Sequence, residues 1–309
     1  MKKVLYFLLI STGLSTLFAQ ADNAAAQEAE RKKLMDASMK MEEKDGWIRK
    51  GALGLDLGQL ANINPYVGGG SNRLGVGGAI AYKAILKKGL FRWNNDFNIN
   101  YSAQRIGSGT LGINSNEKVP FEKALDILTL SSNLAYKVNK ESHWAYSTDL
   151  FFLSQFTGSY KDSANNKIYL KDLHTAPYNT TLVSKLFSPA NITFAIGMKY
   201  QKKENWYLFL SPVALKSIIV SDQAIANLGV HGTKKKENSS DYNKSLTGIG
   251  ALARGGYTAK IYNRIILGSE LLLFSDYLDN PQNIDVTWLN NISLEIFKGF
   301  NLNFRLDAY

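Results

Sequence analysis

The residues best equipped for chemistry in this chain are carboxylates set among amides and hydroxyls, with no nucleophile and base beside them. Asp96, Asp126, Asp149, Asp285 and Glu295 occur in segments of alternating polarity rich in Asn and Ser. Facing a pore, such carboxylates would favour cations. Paired with Arg92, Lys185 or Arg305, they would instead brace a filled interior, and the sequence leaves both readings open. His143, His174 and His231 are scattered, and neither H-E-x-x-H nor a Cys/His spacing is present, so the chain predicts no metal centre and no cofactor. Acyl transfer would need a Ser–His pair oriented by a third group, and no Ser-centred signature adjoins His143. The glycine-rich "VGGGSNRLGVGGA" (67–79) lacks the Gly-Lys-Ser/Thr of a phosphate loop and reads as loop plus glycine-kinked strand. "DNPQNID" (279–285) reads as a turn, which would bind calcium only if neighbouring loops completed the shell. No enzyme is expected.

What must position the carboxylates is visible in "FRWNNDFNINYSAQ" (91–104). Phe91, Trp93, Phe97, Ile99, Tyr101 and Ala103 share one face, while Arg92, Asn94, Asp96, Asn98, Asn100, Ser102 and Gln104 share the other. That period-two alternation is a strand with one apolar and one polar face. Its length exceeds the usual 5–6 residues of a soluble strand. From Trp93 to Tyr101 the chain covers roughly 26 Å at about 3.3 Å per residue. Tilted by about 40°, this gives roughly 20 Å of height, near the apolar band of about 25 Å in a membrane barrel. The spacing therefore predicts lipid against the Trp93 face and a lumen lined by Asp96, Asn98, Asn100, Asp285 and Glu295. Trp93, Tyr101, Trp144 and Tyr200 fall near strand ends, as girdle aromatics do.

The same plan recurs along the chain. Strands are expected at 51–61, 75–86, 91–104, 122–137, 143–156, 190–201, 205–220, 246–260, 264–277, 283–297 and 300–309. Connections after the even strands are short and polar ("KKG", "NKES", "KKEN", "YN", "KGF"); those after the odd strands are mostly long. Short turns at one end and long loops at the other are the asymmetry of outer-membrane barrels. Aromatics make up 12% of the residues, with 16 Tyr and 15 Phe. Mean hydropathy is nevertheless only −0.17, as expected when half of each strand faces a polar lumen.

The N-terminus supplies the route. Met1-Lys2-Lys3, the apolar run 4–18 and "AQA" (19–21) form an export signal, too short to span a bilayer as a helix. The expected organisation is a signal peptide (1–21), a mobile or partly helical periplasmic leader (22–46) and an outer-membrane barrel (47–309). With no cysteine, a lipidated N-terminal Cys and a disulfide framework are both excluded. The formal charge of +10 does not mean nucleic acid in an exported protein; basic turns and anionic headgroups account for it. Expected partners are outer-membrane lipid and other envelope proteins.

Two stretches carry a resemblance. They are "LFSPANITFAIGMKYQKKENWYLFLSPVALKSIIVSDQAIANLGVHG" (186–232) and "LLLFSDYLDNPQNIDVTWLNNISLEIFKGFNLNF" (271–304). Ser211-Pro212, then Val220, Asp222 and Gln223, then the run from Asn280 to Trp288, resemble an uncharacterised family of Bacteroidota outer-membrane β-barrel proteins, domain of unknown function 3078. The opening from Trp47 fits as well, and departs from the family form at "INPYVGGGSN" (63–72). The resemblance implies an outer-membrane barrel and supplies no activity. "DSA" (162–164) resembles the Asp-Ser/Thr-small pattern of Bacteroidota O-glycosylation, which makes Ser163 a candidate acceptor. Bacterial single-chain barrels have even strand numbers, so about 11 strands here imply about 12 in the full protein, or a strand missed near 181–188. Three function classes remain: a channel for small solutes, an accessory barrel that binds partners through loops or leader, and, least favoured, a barrel enzyme.

Overall fold

The computed structural model describes residues 45–60, 72–107, 119–203, 205–261, 264–297 and 300–308. The expected export signal and nearly all of the expected leader lie outside them, as does part of the glycine-rich segment. The chain is an all-β protein built as one antiparallel sheet. Its strands are β1 (Gly46–Leu60), β2 (Asn72–Lys88), β3 (Phe91–Gly107), β4 (Glu122–Lys137) and β5 (Trp144–Ser154), then β9 (Ala190–Lys203), β10 (Trp206–Ile219), β11 (Ser245–Ile261), β12 (Ile265–Asp276), β13 (Ile284–Phe297) and β14 (Phe300–Ala308). They pair in chain order, the up-and-down meander of a barrel wall. Between β5 and β9 lie the short β6 (Ser159–Asp162), β7 (Ile168–Tyr169) and β8 (Thr180–Ser184), which pair with one another and touch the wall only where β7 meets β4. A four-residue helix, α1 (Gln223–Ala226), lies between β10 and β11.

The wall strands follow the expected spans closely. The segment 181–188 does contain a strand, β8, but it belongs to the loop layer and adds nothing to the wall. Eleven strands thus form the path, and its edges β1 and β14 point the same way; among the described residues no hydrogen bonds join them. Gly89-Leu90 is a two-residue connection closed by the pair Lys88–Phe91; the positive φ of Gly89 (59°) suits a glycine-first hairpin turn.

One strand breaks the alternation. Pro212 has no amide proton, so a central strand tolerates it only at a bulge. The registers of β10 with both β9 and β11 shift at this point. Ser211 compensates, its hydroxyl donating to the carbonyls of Ile196 and Val213 at 2.8 Å each. Gly197 passes close beneath; a Cβ there would come 2.7 Å from Cα of Ser211. The Ser-Pro pair is therefore a wall irregularity that re-aims β10.

Candidate functional site

The two faces of the wall differ in curvature, and ion pairs reveal which is concave. Arg254 on β11 pairs with Asp149 on β5, although β9 and β10 lie between them. Lys216 on β10 reaches Asp285 on β13 at 2.9 Å, over β11 and β12. In a flat sheet those strands would stand roughly 14 Å apart, three spacings of about 4.8 Å. Side chains leaving the sheet at right angles close that gap only if the sheet curls toward them. The face bearing Asp149, Arg254, Lys216 and Asp285 is therefore inside the curl.

A band of contacts crosses this concave face. Asp149 also accepts from Nδ2 of Asn133 on β4. Arg254 lies 5.6 Å from the ring of Phe209, and Lys216 lies 5.4 Å from the ring of Phe274. Phe209 and Phe274 pack with Ala195, Ala214 and Leu252 in an apolar cluster, with Phe209 only 1% exposed. The hydroxyl of Tyr207 donates to Glu270 at 2.7 Å, and Lys199 sits 5.0 Å from the Tyr207 ring. The interior wall is thus a mixture: aromatic in the middle, with cations and carboxylates on both flanks.

The residues expected to line the lumen take varied positions. Asp96, Asn98 and Asn100 lie on the concave side of β3, in register with Lys83, Ala81 and Ala79 of β2. Asp96 pairs with Lys83 at 3.3 Å, and Asn98 donates to Thr129 at 3.5 Å. Asp285 is on the same side of β13, and Glu295 occupies β13 with a side chain outside the described residues. Asp126 departs from expectation. It faces Tyr101 across the pair and so lies on the opposite, convex side, where it accepts from the amides of Phe156 and Thr157, the Thr157 hydroxyl and the Lys123 ammonium. It is an anchor for the loop after β5. Of the expected cation partners, Lys185 bonds Asp222 instead, Arg92 donates to Asn94, and the side chain of Arg305 lies outside the described residues.

The convex side is apolar and uncovered. Leu53, Leu55 and Leu57 are 69%, 81% and 77% exposed, and Ile80, Leu130, Ile196, Val213, Val286 and Phe304 continue the band. Rings gather at the rim carrying the short turns. Trp47 meets Trp93 at 5.6 Å, Trp144 meets Tyr200 at 4.9 Å, and Tyr200 meets Trp206 at 5.3 Å. Tyr101 stands toward the long-loop end of β3. Two polar trios interrupt the band, and both are satisfied internally. Trp93 Nε1 donates to Ser132, whose hydroxyl donates to Asn95; Trp288 Nε1 donates to Ser269, which donates to Asn290.

At the long-loop rim the remaining candidates are structural neighbours of one another. Asp222 caps α1, accepting from the amides of Ala224 and Ile225, and holds Lys185 at 2.5 Å. Val220, Ile225 and Ala226 are buried together beneath Tyr242 and Leu182. Ser163 is exposed on the turn after β6, beside the fully buried Asp162. His231 contacts the carbonyl of Val183, His174 pairs with Asp172, and His143 packs edge-on to Tyr200, so the three stay apart. Among the described residues no group of His, Cys, Asp and Glu is arranged to hold a metal.

Comparison with known proteins adds a family match over part of the chain. Residues 58–160 match a family model described as a protein of unknown function, DUF3078. The match covers β2 to β5 and lies outside both stretches quoted for the resemblance. No curated protein sequence matches the chain. Among solved structures, the translocator domain of autotransporter NalP from Neisseria meningitidis aligns over 96% of this chain and 94% of its own, with 9% identity and a TM-score of 0.33.

Proposed function

We propose that the chain is an outer-membrane β-barrel of a Gram-negative bacterium, exported by its N-terminal segment, with a wall that forms a channel for small solutes. The observation that carries this reading is the inverted polarity of the wall. Its convex face exposes a continuous apolar band, and its concave face holds the ion pairs. A protein in water would gain by the opposite arrangement, since contiguous apolar patches of that extent mark a lipid or protein contact. The Trp and Tyr rings at one rim fit a headgroup boundary.

Planar-bilayer recording on the purified full chain tests the channel. Ohmic steps support it; silence from folded protein supports the second reading, an accessory barrel with a filled lumen. The apolar cluster around Phe209 favours that second reading, because it occupies part of the interior. In both readings outer-membrane lipid is the first partner, the packed loops at the long-loop rim are the surface offered to other envelope proteins, and no catalytic role is assigned.

A further inference from the structure

We propose that the concave face near the short-turn rim holds a binding site for small oxyanions, carboxylate or phosphate, built on Lys199 and Arg254; this rests on the channel reading. The neighbouring carboxylates are already engaged. Asp149 is held by Arg254 and Asn133, Glu270 accepts the Tyr207 hydroxyl, and Asp96 is paired with Lys83. Lys199 differs. Among the described residues its ammonium has no carboxylate at ion-pair distance and rests against the Tyr207 ring. The nearest charges across the wall, Asp149 and Arg254, are paired with each other.

Arg254 adds a second donor, since its Nε is buried and has no hydrogen-bond partner among the described residues. The register brings these groups to one level of the wall. Lys199 on β9 faces Phe209 on β10, and Phe209 faces Arg254 on β11, so the two cations stand one strand to either side of β10, Lys199 against the Tyr207 ring and Arg254 near the Phe209 ring. An ammonium as point charge beside a guanidinium fork is a fit for an oxyanion, which takes charge-assisted hydrogen bonds from both. The Phe209 ring keeps water from one side and so strengthens the attraction. Rings of Arg and Lys give pores their preference for anions. At this level of the wall such a site would favour anions, the opposite of the cation preference that was one of the two readings left open for the inward carboxylates.

The test uses the full chain in planar bilayers under a KCl gradient, with Lys199→Gln and Lys199→Arg variants first shown to fold by heat-modifiable gel mobility. Wild type and Lys199→Arg should prefer chloride, and inorganic phosphate should block their current. Lys199→Gln should lose most of the preference and need about tenfold more phosphate for the same block, the equivalent of one charge-assisted contact. Ohmic steps with cation preference, or equal phosphate block in Lys199→Gln, overturn the site and leave the channel intact. Silence from all folded proteins overturns the channel and the site with it.

Discussion

Adjacent residues on β3 meet opposite surroundings. Ile99 lies between Ile80 and Leu128 on the convex face, while Asn98 lies beside Thr129 on the concave one. If the convex face meets lipid, Ile99→Arg should cost about 2–4 kcal/mol near the bilayer midplane. Asn98→Arg, pointing the other way, should be tolerated far better. Urea unfolding of both variants in detergent-free vesicles measures the difference, and equal tolerance would mean that β3 is not in lipid. The polar trio gives a second prediction at this scale. Ser132→Ala removes the hydroxyl that joins Trp93 to Asn95, leaving both without that partner on an apolar surface. The loss should be about 1–3 kcal/mol, read by the same unfolding assay, whereas Ser239→Ala on the exposed loop should change nothing. At residue scale the sequence was legible where parity decides. Trp93, Asp96 and Asn98 could be assigned to faces because one face was plainly apolar. In "WYLFLSPVALKSII" both parities carry aromatic or aliphatic residues, so nothing marked Phe209 and Tyr207 as interior. Nothing in the sequence marks Lys199 and Arg254, because their placement depends on the register of β9, β10 and β11.

Among the elements, the wall strands could be read from the sequence because each repeats one signal over a long span, although β1 begins at Gly46, ahead of the expected residue 51. The layer at the long-loop rim could not. Strands β6 to β8 run two to five residues, and their order comes from tertiary anchors: Asp126 gripping 156–157, and Lys167 paired with Glu122 at 2.5 Å. Helix α1 depends similarly on its cap. Asp222 sits below its ordinary value of 3.8, chiefly through the Lys185 hydrogen bond and then the Ile225 amide. A carboxyl lowered in the folded state stabilises fully above its unfolded pKa and loses that contribution as pH falls through the folded one. Protease cleavage within 221–244 should therefore accelerate below about pH 4. Asp222→Asn keeps an amide-accepting cap but removes the charge, so its cleavage should be flat across that window. Persistence of the pH response in Asp222→Asn would assign it to another group. The division of long and short connections makes a topological prediction as well. Epitopes inserted near Ser163 or Ser239 should be stained on intact cells, and one at 202–205 only after permeabilisation; the opposite pattern would invert the orientation.

The molecule as a whole has its surface chemistry arranged inside out. The apolar band, the aromatic rim and the crossing ion pairs all follow from one alternating pattern wound into a curled sheet. A soluble sheet of this size would bury its apolar face under a second layer. Among the described residues the additional layer, β6 to β8 with α1, gathers at the long-loop rim. Under the proposed reading lipid covers the rest, the wall strands between β1 and β14 being hydrogen-bonded on both sides and their apolar side chains turned to the hydrocarbon. The most direct measurement is alkaline carbonate extraction of cell envelopes followed by gels run with and without heating. The account predicts that the protein stays with the outer-membrane pellet and migrates faster unheated; recovery in the soluble periplasmic fraction, with mobility indifferent to heat, would contradict it.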